Sequence, residues 1–349
     1  MSIDSNLAII CITENGKNLA IQIQKHYKNS HIYVVNSSNK FTMSEARNNI
    51  TMVNEKLSQL TTKIFRDYES ILFIMATGIV VRTISPLIES KLSDPAILVA
   101  DEKGNNMISL LSGHVGGANE LTLKLSEIIN ANPVITTATD VNNKSSLDNI
   151  AKKLDGYIAN FRENVKEINS MIVNNHRVGI YVDGDYKVDT RGFEVVNSID
   201  DISEFKKVVV VTNKQGYLND KFTKLVPRDI VLGIGCRRNI DFNHLEQSIN
   251  DFLDKNNIDI NAIKEIGSID IKSDEKAIIE LSKKLNVPFR IVSSEEISKI
   301  EDLFDKSEFV KKQVGVYNVS EPVAHILSQG NVIVKKSKYN GITISMGRI

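Results

Sequence analysis

Short apolar runs separated by stretches of helical spacing fill the first third of the chain. Leu7 to Thr13 (LAIICIT) reads as a buried strand, Glu14-Asn15-Gly16 as a turn and Lys17 to Tyr27 as a helix. Ile32 to Val35 is a second strand. The spacing of Val53, Leu57, Leu60 and Ile64 predicts a helix over Val53 to Arg66. Ile71 to Met75 (ILFIM) is again a strand. Ala76-Thr77-Gly78 follows, then a helix from Ile79 to Leu92 in which Pro86 is a natural break. Ala96 to Ala100 and Met107 to Leu111 are strands, Leu121, Leu125, Ile128 and Ile129 share a helix face, and Pro133 to Thr137 closes the series. Strands alternating with helices predict an N-terminal α/β domain over residues 1–140, a doubly wound and mainly parallel sheet.

Residues 141–228 pattern less clearly. Leu147 to Ile158 and Val165 to Val173 read as helices, and Arg177 to Asp183, Phe193 to Val196 and Val208 to Thr212 as strands. Asn213 to Arg228 is polar, carries Gly216 and Pro227, and is expected to be a linker. The region is expected to be a small middle α/β segment. A second strand-and-helix series over 229–349 predicts a separate C-terminal α/β domain. Asp229 to Ile234 is its first strand, and Asp241 or Asn243 caps the helix of Phe242, Leu245, Ile249, Phe252 and Leu253. Ile263 to Ile271 is strand-like, and Ser273-Asp274-Glu275 opens a helix with acids in its first turn. Phe289 to Val292 is a strand, and Ser293 with Glu296 forms a capping-box pattern. Ser320-Glu321-Pro322 opens a helix that stops at Gly330. Val332 to Lys335 and Ile342 to Met346 flank KSKYNG as a hairpin.

A length of 349 residues exceeds one typical domain, in keeping with that division. Lys and Arg together number 43, as do Asp and Glu, so no basic surplus points to nucleic acid or a membrane surface. The longest apolar stretch, Ile71 to Val81, is interrupted by Thr77 and Gly78 and falls short of the roughly 18 residues of a membrane span. The opening MSIDSNLAIICITENG lacks the basic start and long apolar core of a signal peptide. Cys11 and Cys236 cannot build a disulfide framework, and a cytoplasmic location is expected. No Cys, His or carboxylate spacing suits a metal, so no metal or organic cofactor bound by the protein is expected.

The most pointed segment is Ser112-Gly113-His114-Val115-Gly116-Gly117-Ala118-Asn119-Glu120, which follows a strand and runs into a helix. Gly113, Gly116 and Gly117 let backbone N–H groups approach a ligand, and a helix start favours negative charge. His114 is a candidate general base, with Glu120 to orient it or a water molecule. The plain alternative is a tight turn with an incidental histidine. Thr77 and Gly78, with Arg82 one helical turn on, and the run Thr136-Thr137-Ala138-Thr139-Asp140 are expected at the same sheet edge, suited to an oxygen-rich ligand. Each alone reads equally well as helix capping. Gly233-x-Gly235 precedes Arg237 and Arg238, a pair suited to carboxylates or simply to solvent. Cys236 has no neighbouring histidine to activate it and reads as a small buried thiol.

The runs IMATGIVV (74–81), LLSGHVGGANEL (110–121) and NPVITTATD (132–140) resemble the N-terminal region of the CbiG family of cobalamin biosynthesis. VLGIGCRR (231–238), GSIDIK (267–272) with Asp274-Glu275, and GVYNVSEP (315–322) resemble that family's C-terminal domain. The middle region matches by position. The resemblance implies a cobalt-precorrin-5A hydrolase, which opens a lactone between a ring-A acetate and carbon C20 and then releases C20 with its methyl group as acetaldehyde. It implies a cobalt tetrapyrrole as partner, cobalt carried by the substrate, and transient contact with neighbouring pathway enzymes. On this reading His114, or else Glu120 or Asp140, activates water. The N–H groups near Gly116 and Gly117 meet the oxyanion, and Arg82, Arg237 and Arg238 hold peripheral carboxylates. The competing readings are a phosphate- or nucleotide-dependent α/β enzyme, a methyltransferase, and a non-catalytic tetrapyrrole carrier. The first lacks both GxxxxGK[ST] and GxGxxG.

Overall fold

All five residues of the first strand, β1 (Leu7–Cys11), are buried. Leu7, Ile9 and Cys11 pack on one face, Ala8 and Ile10 on the other. Successive side chains point to opposite faces, so a strand buried throughout needs a layer on each side. The computed structural model describes residues 6–35, 49–90, 93–114, 116–199, 202–217 and 219–349. It divides into two compact units, Met1–Lys144 and Ser145–Ile349.

In the first unit β1 is followed by α1 (Glu14–His26), β2 (Ser30–Val35), β3 (Ile50–Val53), α2 (Leu57–Ile64), β4 (Ser70–Ile74) and α3 (Thr77–Ile84). Then come β5 (Ala96–Ala100), β6 (Asn106–Leu111), α4 (Ala118–Ile129), β7 (Asn132–Val134) and α5 (Ala138–Val141). Among the described residues these strands form one sheet in the order β3-β2-β1-β4-β5-β6-β7. Leu19, Ala20 and Ile23 of α1 and Leu121 and Leu125 of α4 cover one face. Leu60 and Ile64 of α2 and Val80 and Ile84 of α3 cover the other. The sheet is the mainly parallel, doubly wound one that the pattern predicts.

One pair departs from parallel. β6 runs antiparallel to β5, with Ile97 opposite Leu111 and Ala100 opposite Met107. Asp101 closes the turn between them, accepting the N–H groups of Lys103 (3.0 Å), Asn105 (3.3 Å) and Asn106 (2.7 Å). Burial pushes the Asp101 carboxyl up, but these donors outweigh it and hold the group below its ordinary range. β7 is parallel to β6. The loops after β6 and β7 therefore leave at one edge of the sheet, and the loops after β1 and β4 leave at the opposite edge.

Local departures have local causes. Glu14-Asn15-Gly16 is the first turn of α1 rather than a separate turn, because Thr13 Oγ1 caps it by accepting the Gly16 N–H at 3.1 Å. Val53 ends a strand paired to β2 instead of starting a helix. The helix expected from Ile79 starts at Thr77 and stops at Ile84, and Pro86 sits in a 3-10 turn, Ser85–Leu87. The expected end of that helix at 91–92, Val115 in the glycine loop, and position 218 of the expected linker lie outside the described residues.

The second unit opens with α6 (Leu147–Lys153), α7 (Phe161–Val173), β8 (Val178–Val182), β9 (Glu194–Val195), β10 (Lys207–Val211) and β11 (Phe222–Leu225). These four strands pair in parallel as β11-β10-β8-β9. β11 lies inside the stretch expected as a linker. Only its alternate residues, Thr223 and Leu225, are buried, so it lacks the continuous apolar run of a strand buried on both faces.

The chain continues through β12 (Ile230–Cys236), α8 (Phe242–Lys255), β13 (Ile263–Ile269), α9 (Lys276–Leu285), β14 (Phe289–Val292) and α10 (Ser294–Ser298). It ends with α11 (Glu308–Val314), α12 (Ser320–Leu327), β15 (Val332–Tyr339) and β16 (Ile342–Arg348). This second mixed sheet has the order β14-β13-β12-β16-β15, with β16 antiparallel to both neighbours. Asp241 caps α8, and the Ser293–Glu296 capping box is present. The acids expected in the first turn of α9 precede it, with Glu275 at the cap position. Most of KSKYNG extends β15, leaving Asn340-Gly341 as the hairpin turn.

Two packing features tie this unit together. A Cβ added at Gly233 would stand 1.9 Å from the Ser320 carbonyl oxygen and 2.6 Å from the Ala324 nitrogen. The glycine therefore admits the backbone of α12 against the sheet. Asp229 accepts hydrogen bonds from Arg348 Nε (2.7 Å), Tyr186 Oη (2.9 Å) and Asn213 Nδ2 (3.1 Å), joining the two sheets. Burial and the Asp229 carboxylate together push the Tyr186 hydroxyl well above its ordinary range. Among the described residues no helix is long and apolar enough to cross a membrane.

The fit of α12 yields a stability prediction. Gly233→Ala forces helix and strand apart and is expected to cost about 3 kcal/mol, the upper range for an overpacked core. Urea unfolding followed by circular dichroism measures it. An unchanged midpoint would show that α12 moves aside freely.

Candidate functional site

The chain leaves β6 through Ser112, a non-glycine residue at φ 57°, and enters α4 through Gly117 at φ 87°. The turn between them is tight. A Cβ at Gly113 would stand 2.7 Å from Asn119 Oδ1, and one at Gly116 would stand 2.4 Å from Ser112 Cβ. These two glycines are required by packing within the loop. Gly117 is required by its left-handed backbone.

The loop delivers His114 to Asp140. Nε2 of His114 lies 2.9 Å from Asp140 Oδ2 and 2.9 Å from Thr139 Oγ1. Thr139 and Asp140 belong to α5, which follows β7 at the same edge. The His114 side chain is 15% exposed and that of Asp140 35%, so the pair is sheltered yet reachable. A carboxylate at Nε2 favours the tautomer protonated there.

Behind the pair stands Asn119, buried at the start of α4. Its Nδ2 donates to Asp140 Oδ2 at 2.9 Å and to Thr137 Oγ1 at 3.1 Å, and its Oδ1 accepts from Ser109 Oγ at 2.6 Å. Asn119, Ser109, Thr137 and Thr139 join the site as side chains that the sequence motifs do not single out. The signal for Asn119 was its place one residue before Glu120, on the inward face shared with Leu121 and Thr122.

Other expected members fall elsewhere. Glu120 is exposed and, among the described residues, makes no contact with His114; Asp140 takes the orienting place. The Gly117 N–H is already donated to the His114 carbonyl at 3.0 Å, so it is not an oxyanion donor. Among the described residues the Gly116 N–H has no backbone acceptor. Thr77, Gly78 and Arg82 follow β4 and lie at the opposite edge from His114. Strands of five residues put roughly 15 Å of sheet between the two edges. The expectation of one shared edge is therefore corrected: Thr136–Asp140 joins the histidine loop and Ala76–Gly78 does not. At its own edge Arg82 is exposed, and its guanidinium donates to the Gly78 carbonyl.

In the second unit Arg237 and Arg238 follow β12. Arg238 is held by Asp274 and by the Ile271 carbonyl. Arg237 is exposed, its stem packed over Gly341, and its guanidinium has no acidic partner among the described residues. A buried ion pair, Lys272 Nζ to Glu275 Oε2 at 3.3 Å, lies beneath them. Burial pushes the Cys236 thiol up to about 11 and the Cys11 thiol up to about 12. Among the described residues no group of three or more His, Cys, Asp or Glu side chains is arranged to hold a metal ion.

Comparison with known proteins covers each segment. Residues 59–140 match the family described as "Cobalamin synthesis G N-terminal", 145–226 "Cobalamin biosynthesis central region" and 230–347 "Cobalamin synthesis G C-terminus". The cobalt-precorrin-5A hydrolase of Salmonella typhimurium is 41% identical over 290 residues, 81% of this chain and 83% of that protein. The cobalt-precorrin-5A hydrolase of Priestia megaterium is 28% identical over 357 residues, 98% of this chain and 94% of that one. Among solved structures, a putative cobalamin biosynthesis protein G homolog from Sulfolobus solfataricus is 24% identical. It covers 100% of this chain and 99% of its own, with a TM-score of 0.41.

The thiol environments give a chemical prediction. With Cys236 at about 11, roughly a thousandth of it is thiolate at pH 8. Alkylation by iodoacetamide is expected to be ~10²-fold slower than for free cysteine and to rise about tenfold per pH unit toward pH 10. Labelling of the native protein at the rate of free cysteine would contradict the burial.

Proposed function

This chain belongs to the CbiG family of cobalamin synthesis, and we propose that it is a cobalt-precorrin-5A hydrolase. It opens the substrate's lactone and releases C20 with its methyl group as acetaldehyde, giving cobalt-precorrin-5B. Relatives of that name support the substrate. The observation that carries the chemistry is the imidazole of His114 held at Nε2 by Asp140, 2.9 Å away, on a loop packed tightly around glycine.

The His114 imidazole takes a proton from water as the oxygen attacks the lactone carbonyl. The Asp140 carboxylate orients the ring and stabilises the imidazolium that forms. The Gly116 N–H donates to the developing oxyanion, a contribution of about 3 kcal/mol where such donors have been removed. Collapse of the adduct breaks the acyl–oxygen bond. The acetate carboxylate is freed, and the imidazolium returns its proton to the C20 oxygen. That hydroxyl then loses its proton, the C20–oxygen double bond forms, and the bond from C20 to the macrocycle breaks with its electron pair entering the conjugated ring. Water is consumed once and acetaldehyde leaves.

The cobalt enters with the substrate, and we take the reaction to need no resident metal or organic cofactor. Arg237, exposed and without an acidic partner among the described residues, is the candidate for a peripheral carboxylate. Arg238 is committed to Asp274, and its role is structural first. Thr77, Gly78 and Arg82 are set apart from the reacting group by their sheet edge. Equal numbers of acidic and basic residues suit a partner list confined to the tetrapyrrole and, transiently, neighbouring pathway enzymes in the cytoplasm, with no nucleic acid or membrane.

The test is anaerobic incubation of chelator-treated protein with cobalt-precorrin-5A, no nucleotide added, with acetaldehyde trapping and product mass. Acetaldehyde in equal amount to product is expected; product without acetaldehyde, or none until a metal is added, would sink the reading. His114→Ala and Asp140→Asn are each expected to lower the rate ~10²-fold or more, the scale of a lost general base. Glu120→Gln should stay within about threefold.

Arg237→Ala is expected to raise KM while leaving kcat within about twofold, the pattern of lost uniform binding. A collapsed kcat at unchanged KM would put Arg237 at the reacting centre instead.

A further inference from the structure

The side chain and backbone N–H of Asn119 make four hydrogen-bonding contacts. Its amide is oriented unambiguously. Nδ2 faces Asp140 Oδ2 (2.9 Å) and Thr137 Oγ1 (3.1 Å), while Oδ1 receives the Ser109 hydroxyl (2.6 Å). Turning the amide over would set Oδ1 against the Asp140 carboxylate, an acceptor against an acceptor. Its own backbone N–H is donated to the Gly113 carbonyl at 3.1 Å. The residue is 6% exposed, so each of these groups would be costly to leave unpaired.

We propose that Asn119 is a positioning residue for His114, acting through Asp140, and that Gly113 is glycine to make room for it. Asp140 Oδ2 receives two donors, Asn119 Nδ2 and His114 Nε2, both at 2.9 Å. With Asn119 fixed to Ser109 on β6, to Thr137 at the start of α5 and to the Gly113 backbone, the carboxylate cannot rotate away from the imidazole without giving up a buried bond. The glycine loop and the β7–α5 loop are thereby locked in one register. A Cβ at Gly113 would enter the space of the Asn119 amide, at 2.7 Å from Oδ1 and 3.1 Å from both Cγ and Nδ2. The steric demand at Gly113 thus comes from Asn119 rather than from an approaching ligand. Asn119 itself handles no proton. The inference rests on the hydrolase reading only for its effect on turnover.

The experiment reads the imidazole without substrate. Protein labelled with nitrogen-15 in histidine gives the tautomer of each ring from its nitrogen shifts, and the His114 signals are those missing from His114→Asn. In the native protein Nε2 is expected to carry the proton. Asn119→Asp keeps the size of the side chain but faces Asp140 with an acceptor, and it is expected to shift both His114 nitrogens toward a tautomer mixture. Ser109→Ala, which removes only the hydroxyl behind the amide, should shift them in the same direction by less. With substrate, Asn119→Asp should lose ~30-fold or more in kcat with KM within about twofold, the signature of an interaction realised at the reacting step.

Gly113→Ala should give the same tautomer shift, and combining it with Asn119→Ala should add little to Asn119→Ala alone. Native His114 shifts in Asn119→Asp and in Ser109→Ala would overturn the proposal, as would fully additive effects of Gly113→Ala and Asn119→Ala. If the shifts move as expected but native protein releases no acetaldehyde, the positioning role stands and the reaction assignment fails.

Discussion

The turn that sends β6 back along β5 decides where chemistry can gather in the first unit. Residues 101–105 join the two strands. A parallel crossover needs about a dozen residues, so the chain has no choice but to reverse. Asp101 makes the reversal cheap by taking three backbone N–H groups of the turn onto its carboxylate. Everything after it inherits the new direction. β6 and β7 both end at the edge where β5 begins, and their loops bring His114, Thr139 and Asp140 together. In a wholly parallel sheet the same motifs would have joined Thr77 and Arg82 at one edge instead.

That reversal is legible in the sequence. Apolar runs ending at Ala100 and opening near Met107 mark the two strands, and Asp101-Glu102-Lys103-Gly104-Asn105 carries the residues of a tight turn. Counting the linking residues gives the antiparallel pair, and with it the separation of the two candidate edges. Strand existence does not need that count, because it depends on local apolar runs. The meeting of loops does not, because it depends on the direction of every strand between them. The missed β11 has another origin. Thr223 and Leu225 face inward while Phe222 and Lys224 are half-covered, so the strand reads as polar chain once its partner β10 is unknown.

Glycine-rich stretches look alike in sequence and serve different physical ends here. In the histidine loop Gly113 and Gly116 yield space to Asn119 and Ser112, and only Gly117 needs a left-handed backbone. In VLGIGC the glycines lie within β12, and Gly233 yields space to the backbone of α12. Composition alone does not tell these uses apart. What separates them is the neighbour that a Cβ would meet, which no single sequence displays. Asp229 is hidden in the same way, since Tyr186, Asn213 and Arg348 reach it from three distant segments.

The choice of carboxylate beside His114 shows how far pattern alone can decide a site. Glu120 is six residues away in sequence and Asp140 twenty-six. Proximity favours Glu120, but a helix turns about 100° per residue, and Leu121 and Leu125 fix the inward face of α4. Glu120 then shares the outward side with Leu123 and Glu127, both exposed, and cannot turn back toward the loop without unwinding the first turn. Asn119, on the inward side, can. The amphipathic pattern that identified α4 therefore already excluded Glu120 as an orienting group and pointed to its neighbour. Asp140 required the pairing of β7 with β6 as well. Local periodicity settles which side chains leave a helix toward the core; only the register of strands settles what they find there.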